Sequence, residues 1–180
     1  MTGSIVADLR ESGAHPIHLT NAGLVLLNPF LPRFFGRIDV LSAEGVALKE
    51  GTASKAVHLL QWLVDGRLDR PAADLILNKR LCALDPAAVI EPHIEASPDD
   101  IVVCEQLLAA VLNAWPSVRT ISVQALRENF LQREGALEHE GSGWTLTVRR
   151  KTIDLFVDQI PWSFAGLHHR WMREPLHVRW

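Results

Sequence analysis

Residues 122–150 read SVQALRENFLQREGALEHEGSGWTLTVRR, and the fold class turns on a change of period inside that stretch. Up to Gly135 the apolar residues fall at helical spacing. Ser122 can cap a helix running to about Arg133, with Val123, Leu126 and Phe130 facing inward and Gly135 ending it. After Gly135 the period drops to two. Trp144, Leu146 and Val148 alternate with Thr145, Thr147 and Arg149, the mark of a half-buried strand. Glu140-Gly141-Ser142-Gly143 supplies a turn between that run and Ala136–His139, so an antiparallel hairpin centred on Gly141–Gly143 is expected.

Upstream the pattern is helical. Ser97-Pro98-Asp99-Asp100 offers an N-cap, a first-turn proline and carboxylates where the helix dipole favours them. Ile101, Cys104, Leu108, Val111 and Trp115 then form one stripe, closed by Pro116. Thr52 can cap a helix to about Val64 that stops at Gly66, and Pro71 opens another in which Leu77, Leu81 and Leu84 share a face. Asn28-Pro29 reads as an N-cap and first-turn pair, with Leu24–Leu27 before it either a strand or a broken helix. Downstream, Ile153–Ile160 and Leu176–Trp180 look extended or mixed. The expected fold is α+β: a mainly α-helical compact domain with a C-terminal antiparallel β-hairpin or small sheet. Residues 1–16 read as a flexible lead-in and 17–180 as a single globular domain, with Trp62, Trp115, Trp144 and Trp162 mostly buried.

Composition narrows the function. The 180 residues are 48% hydrophobic and 22% charged, enough apolar material for a core. Eighteen Lys+Arg against twenty-one Asp+Glu leave a net charge of −3, without the basic excess of a nucleic-acid binder. Cys82 and Cys104 are too few for a disulfide scaffold. No run approaches the ~18–20 apolar residues that span a bilayer, so no membrane partner is expected.

The search for chemistry is mostly negative, and no catalytic residue, cofactor or metal is assigned. A phosphate-binding Gly-Lys-Ser/Thr loop and a Gly-x-Ser-x-Gly elbow are both missing; Gly141-Ser142-Gly143 is turn chemistry. Cys82 and Cys104 lie 22 residues apart with no second ligand at metal spacing, and Cys104 belongs to an apolar stripe. Asp154 and Asp158 share a face whether their segment is extended or helical, and are expected to be solvated surface. A helix and hairpin ending in Arg149-Arg150-Lys151 superficially resemble a winged helix, the alternative reading as a nucleic-acid-binding protein. Glu128 and Glu134 offset Arg127 and Arg133 there, and phosphate binding needs a net basic face.

Taken in order, the motifs resemble a family. Ala22-Gly23-Leu24-Val25-Leu26-Leu27-Asn28-Pro29-Phe30-Leu31-Pro32, Ala56-Val57-His58-Leu59-Leu60-Gln61-Trp62-Leu63 and Leu77-Asn78-Lys79-Arg80-Leu81-Cys82 come first. Trp115, the run Leu126–Gly135, Trp144 with Leu146, Asp154, Ile160-Pro161-Trp162-Ser163, Trp171-Met172 and Leu176–Trp180 follow. Over roughly Asn21 to Trp180 the chain is similar to the tape measure protein family of contractile injection systems. Two places depart from the family pattern: Arg170 stands where a proline usually precedes the second tryptophan motif, and Arg70-Pro71-Ala72-Ala73-Asp74 replaces a Pro-Glu region.

The resemblance implies a non-enzymatic structural or assembly protein of a phage-tail-like bacterial particle, associated with inner-tube length control or tube and baseplate assembly. Its implied partners are inner-tube, baseplate or spike proteins or a second copy, and its implied location is the bacterial cytoplasm during assembly, then the particle. Even 180 fully helical residues would reach only ~270 Å, so a chain patterned to fold compactly matches the globular part of such a protein rather than an extended ruler. Asn78, Lys79, Arg127, Glu128 and Asn129 put polar groups into apolar helices, as surface charge and capping or as buried pairs that fix helix register. Trp162, Phe164, Trp171, Met172, Arg173 and Trp180 crowd the last twenty residues, either as a protein interface or as closure of the domain's own core.

Overall fold

The computed structural model describes residues 15–180. The lead-in expected over 1–16 lies, apart from His15 and Pro16, outside the described residues. Strand β1 (Ile17–Leu19) is followed by a 3-10 helix (Ala22–Phe30) and α1 (Leu31–Arg37), then α2 (Ala53–Asp65), α3 (Ile76–Leu81), α4 (Pro98–Ala114) and the short α5 (Val123–Leu126). The last part of the chain carries β2 (Gly135–Glu140), β3 (Gly143–Val148), β4 (Gly166–Leu167) and β5 (Leu176–Arg179).

Helix α4 forms as its sequence dictates. Ser97 accepts from the Asp100 N–H at 3.1 Å while the Asp100 carboxylate accepts from the Ser97 N–H at 3.2 Å, a reciprocal cap. Val103, Cys104, Leu107, Leu108, Val111, Leu112 and Trp115 are buried along its inner face, with Ile101 half-buried. Lys55 of α2 bridges the same Asp100 at 2.9 Å, fixing the starts of the two helices side by side. Helix α2 ends at Gly66, whose φ of 75° takes the left-handed turn and returns its N–H to the Trp62 carbonyl at 2.8 Å.

Other local signals are only partly followed. Asn28 and Pro29 do not start a helix; both lie inside the 3-10 run, and α1 begins at Leu31. The Asn28 amide is recruited instead by the Ser163 carbonyl at 3.1 Å, 135 residues away. Thr52 precedes α2 but its hydroxyl donates to the Lys49 carbonyl at 2.7 Å rather than capping. Pro71 opens a short 3-10 turn (Ala72–Leu75) before α3. The helix expected from Ser122 to Arg133 is α-helical only through Leu126 and then widens to a π turn (Arg127–Leu131), while Ser122 does cap it, accepting from the Ala125 N–H at 3.0 Å.

The α+β class stands, but the sheet differs from the expected C-terminal antiparallel element. It has five strands in the order β1-β2-β3-β5-β4 and is mixed, with β1 brought in from the opposite end of the described chain. The β2–β3 hairpin pairs Glu140 with Gly143, as the turn cluster foretold. Strand β5 runs parallel to β3, with Trp144 opposite Leu176 and Leu146 opposite Val178. A parallel pair needs a crossover of a dozen or more residues, and the chain from 149 to 175 supplies it.

One cluster of buried apolar side chains joins the helices to the inner face of the sheet, from Leu19 to Val178. Of the four tryptophans expected inside, Trp115 is fully buried, whereas Trp62, Trp144 and Trp162 are half-buried. Each half-buried ring meets a polar partner: Arg127 lies over the Trp62 ring, Trp144 donates to Glu174, and Trp162 donates to the Leu26 carbonyl. Gly23 lets the 3-10 run touch the π turn, where a Cβ would sit 1.8 Å from the Phe130 carbonyl oxygen.

Candidate functional site

Three polar assemblies hold these layers, and the motif residues divide among them. In the first, Asn78 of α3 is fully buried and donates to the Val57 carbonyl of α2 at 3.0 Å and to Gln61 at 3.3 Å. Its own carbonyl accepts from Asn21 at 2.7 Å, and Asn21 also donates to Gln61 at 2.9 Å. The three amides therefore join β1's exit, α2 and α3. Lys79, also buried, turns away and donates to the Pro86 carbonyl at 3.0 Å; burial pushes its ammonium below the usual lysine range.

The second assembly closes the C-terminus of α2. The last carbonyls of a helix lack intrahelical partners. Arg127 donates to the Leu63 carbonyl at 3.1 Å and the Trp62 carbonyl at 2.9 Å, and its guanidinium lies 4.6 Å from the Trp62 ring centre. Gln132, at the end of the same π turn, donates to the Val64 carbonyl at 3.1 Å. Glu128 and Asn129 bond within their own helix instead, Glu128 accepting from Gln124 and Asn129 donating to the Ala125 carbonyl.

The third was not expected. Arg133 and Asp154 are fully buried and form a two-pronged pair at 2.6 and 2.8 Å. The Asp154 carboxylate also accepts from the Lys151 N–H at 2.8 Å and the Trp180 indole at 3.0 Å, and the Trp180 ring lies 5.1 Å from the Arg133 guanidinium. Burial alone would raise the Asp154 carboxyl, but hydrogen bonds from Arg133, Lys151 and Trp180 outweigh it and hold the group below the usual carboxylate range. The expectation of a solvated Asp154 is thus overturned by a buried cation that demands a counter-ion. Asp158 points elsewhere, paired with Arg150 at 2.8 Å. A sequence signal for Arg133 did exist: Leu126, Phe130 and Arg133 stand at i, i+4 and i+7, on one helical face.

These contacts also remove the features that suggested nucleic acid. Arg133 is buried, Arg149 is paired with Glu134 at 2.7 Å, and Arg150 is paired with Asp158. Of the basic residues at the end of the hairpin, Lys151 alone has no ion pair among the described residues.

The C-terminal aromatics take different positions. Trp171 and Met172 are buried, and Trp171 donates to the Leu81 carbonyl at 2.8 Å. Trp162, Phe164 and Trp180 are half-buried, and Arg173 is exposed. Phe164 and Trp180 stand 5.6 Å apart and line a groove of about 310 Å³ with Ile160, Ala165 and Val178. Leu155 and Phe156, on the turns leading into it, are 66% and 40% exposed.

Among the described residues no group of three His, Cys, Asp or Glu side chains could hold a metal. Cys82 and Cys104 are both buried, and burial pushes the Cys104 thiol up to about 12 and raises that of Cys82 as well. Among the same residues no helix is long and apolar enough to cross a membrane.

Comparison with curated proteins and with solved structures gave no match. The family model described as contractile injection system tape measure protein matches residues 6–180, taking in all three polar assemblies and both halves of the fold. The chain therefore belongs to the contractile injection system tape measure family, whose role in these phage-tail-like particles is structural.

Proposed function

We propose that this chain acts as a compact, non-enzymatic assembly element of a bacterial contractile injection system, engaging inner-tube, baseplate or spike proteins while the particle is built. The family match over residues 6–180 carries this reading. The shape of the chain favours a globular role: its longest helix has 17 residues and rises ~26 Å, too little to set a tube's length by extension. Assembly would take place in the bacterial cytoplasm, and the element would remain in the finished particle.

Contact with those partners would use the surface-accessible members of the C-terminal aromatic set. Trp162, Phe164, Arg173 and Trp180 are the candidates, and the groove beside Phe164 and Trp180 gives them a recess to fill. Deleting the gene and imaging the particles tests the reading. Loss of particles, or tubes of irregular length, is the expected result; normal particles with normal tubes would refute it. Phe164→Glu in an otherwise intact particle operon tests the surface, with a folded protein that no longer co-purifies with tube or baseplate expected.

A further inference from the structure

A polar cleft of about 710 Å³ lies between the C-terminal end of α2 and the segment that follows β3. One wall carries Asp65, Arg70 and Asp74, and the other carries Glu134, Arg149, Arg150 and Lys151. Ion pairs, one of them to Asp158 outside the cleft, neutralise each wall except for one charge. Asp65 is paired with Arg70 at 2.8 Å, Glu134 with Arg149, and Arg150 with Asp158. The Asp74 carboxylate and the Lys151 ammonium have neither hydrogen bond nor ion pair among the described residues, although the Glu134 carboxyl, held low mainly by Arg149, is lowered a little more by the Lys151 charge. The helical wall thus bears a net negative charge and the opposite wall a net positive one.

Two of the side chains that line the cleft are already held in place. Gln61 is 4% exposed, with its carbonyl held by Asn21 and its amide donating to Asp65 at 2.8 Å. Gln132 is fixed by its bond to the Val64 carbonyl. A ligand entering here meets oriented polar groups that need no rearrangement, which lowers the entropic cost of binding.

We infer that this cleft docks a mixed-charge polypeptide segment of another particle protein, with an acidic side chain against Lys151 and a basic one against Asp74. Charge complementarity identifies the occupant. A polyanion would meet the uncompensated Asp74 and a polycation the uncompensated Lys151, whereas a segment bearing both signs matches both walls. The inference rests on the assembly role proposed above, because it takes its partner from the same particle.

The test uses the full chain expressed with its own particle genes. Benzoylphenylalanine is placed at Thr20, an exposed residue lining the cleft, and separately at Val89, an exposed loop residue that does not line it. After illumination, Thr20 should crosslink to a particle protein at a peptide containing acidic and basic residues, identified by mass spectrometry. Lys151→Glu and Asp74→Lys should each cut the yield about three- to five-fold, the effect of one exposed charge pair. Both residues are exposed, and the Lys151 contact to Asp154 runs through its backbone N–H, so thermal melts should show the variants folded. A chain recovered in particles whose Thr20 position crosslinks nothing, or whose yield ignores both reversals, overturns the docking site and leaves the assembly role standing. A chain never recovered in particles overturns the assembly role and this inference with it.

Discussion

The α2–α4 region and the segment from Arg149 to Trp180 are held in place by different means. In α2, Ala56, Val57, Leu59, Leu60, Leu63 and Val64 all lie within one helix and are fully or almost fully buried. Dispersion and water exclusion hold that face, and both are indifferent to direction. The C-terminal segment has strands of two and four residues and short 3-10 turns, too little regular structure to form a face of its own. It is held by directed contacts. Trp162 reaches the Leu26 carbonyl, Trp171 the Leu81 carbonyl and Trp180 the Asp154 carboxylate, while Arg133 fixes Asp154 from the helical side. An apolar face tolerates exchange of its parts; a set of directed bonds does not.

The sharpest test of that difference removes a charge. Asp154→Ala leaves the Arg133 guanidinium buried and unpaired, and is expected to destabilise the protein by about 3–5 kcal/mol in urea unfolding. Arg133→Lys should also be severe, because an ammonium cannot reproduce the two-pronged pair. The Arg133→Met, Asp154→Leu double variant should recover much of the loss, since a buried ion pair often contributes little beyond an apolar replacement. The pair also sets an acid limit. The folded Asp154 carboxyl is held below its unfolded range, so its contribution is complete above about pH 4 and disappears as pH falls through the lowered folded value. Asp154→Asn should flatten that acid limb of a stability–pH profile; an unchanged limb would assign it to other carboxylates.

Leu60→Ala makes the matching cut in the helical region. Leu60 is fully buried, and the expected loss is about 2–5 kcal/mol, by transfer and cavity terms together. The comparison lies in the conservative variant. Leu60→Met should cost less than about 1.5 kcal/mol, because volume is nearly kept and direction does not matter. If Leu60→Met proves as damaging as Arg133→Lys, the distinction between the two regions fails.

The same distinction governs what could be read from sequence. Helix α4 was legible from Ser97 and its stripe because caps and periodicity are local. The hairpin was legible because its turn and alternation are adjacent. The parallel placement of β5 was not, since a four-residue strand carries no record of which neighbour it will choose across a crossover. Among the site residues, Asn78 and Arg127 stood out as polar groups in apolar helices, but their partners on α2 did not. Arg133 read as a charge offset by Glu134, because its counter-ion lies 21 residues further on. Asn28 misled as well: its amide nitrogen donates to a carbonyl 135 residues away, and its oxygen caps nothing.

Arg127 sits between the two regimes, a directed contact serving an apolar helix. Arg127→Ala removes two hydrogen bonds to the final carbonyls of α2 and the cover over Trp62. Hydrogen bonds to charged groups contribute about 1.5–3 kcal/mol, and a loss in that range is expected. Hydrogen exchange should locate it: amides in the last turn of α2 should lose protection while those of α4 keep theirs. Uniform loss of protection would mean that Arg127 supports the whole core rather than one helix end.

The smallest expected effect bears on the most legible element. Ser97→Ala removes the side-chain acceptor of the α4 cap, leaving the Asp100 N–H without its partner, and should cost about 1 kcal/mol. Asp100 makes the case informative, because it serves two structures at once. It accepts from the Ser97 N–H at the helix start and pairs with Lys55 of α2. If Ser97 acts only as a local cap, Ser97→Asp, which restores an acceptor, should recover most of the loss. If the cap matters mainly by orienting Asp100 toward Lys55, Lys55→Ala should cost as much as Ser97→Ala, and the double variant should cost no more than either alone. The local reading predicts additive losses instead. A thermodynamic cycle over the two positions therefore decides whether even this helix start, the part of the fold most open to local reading, depends on a directed contact with its neighbour.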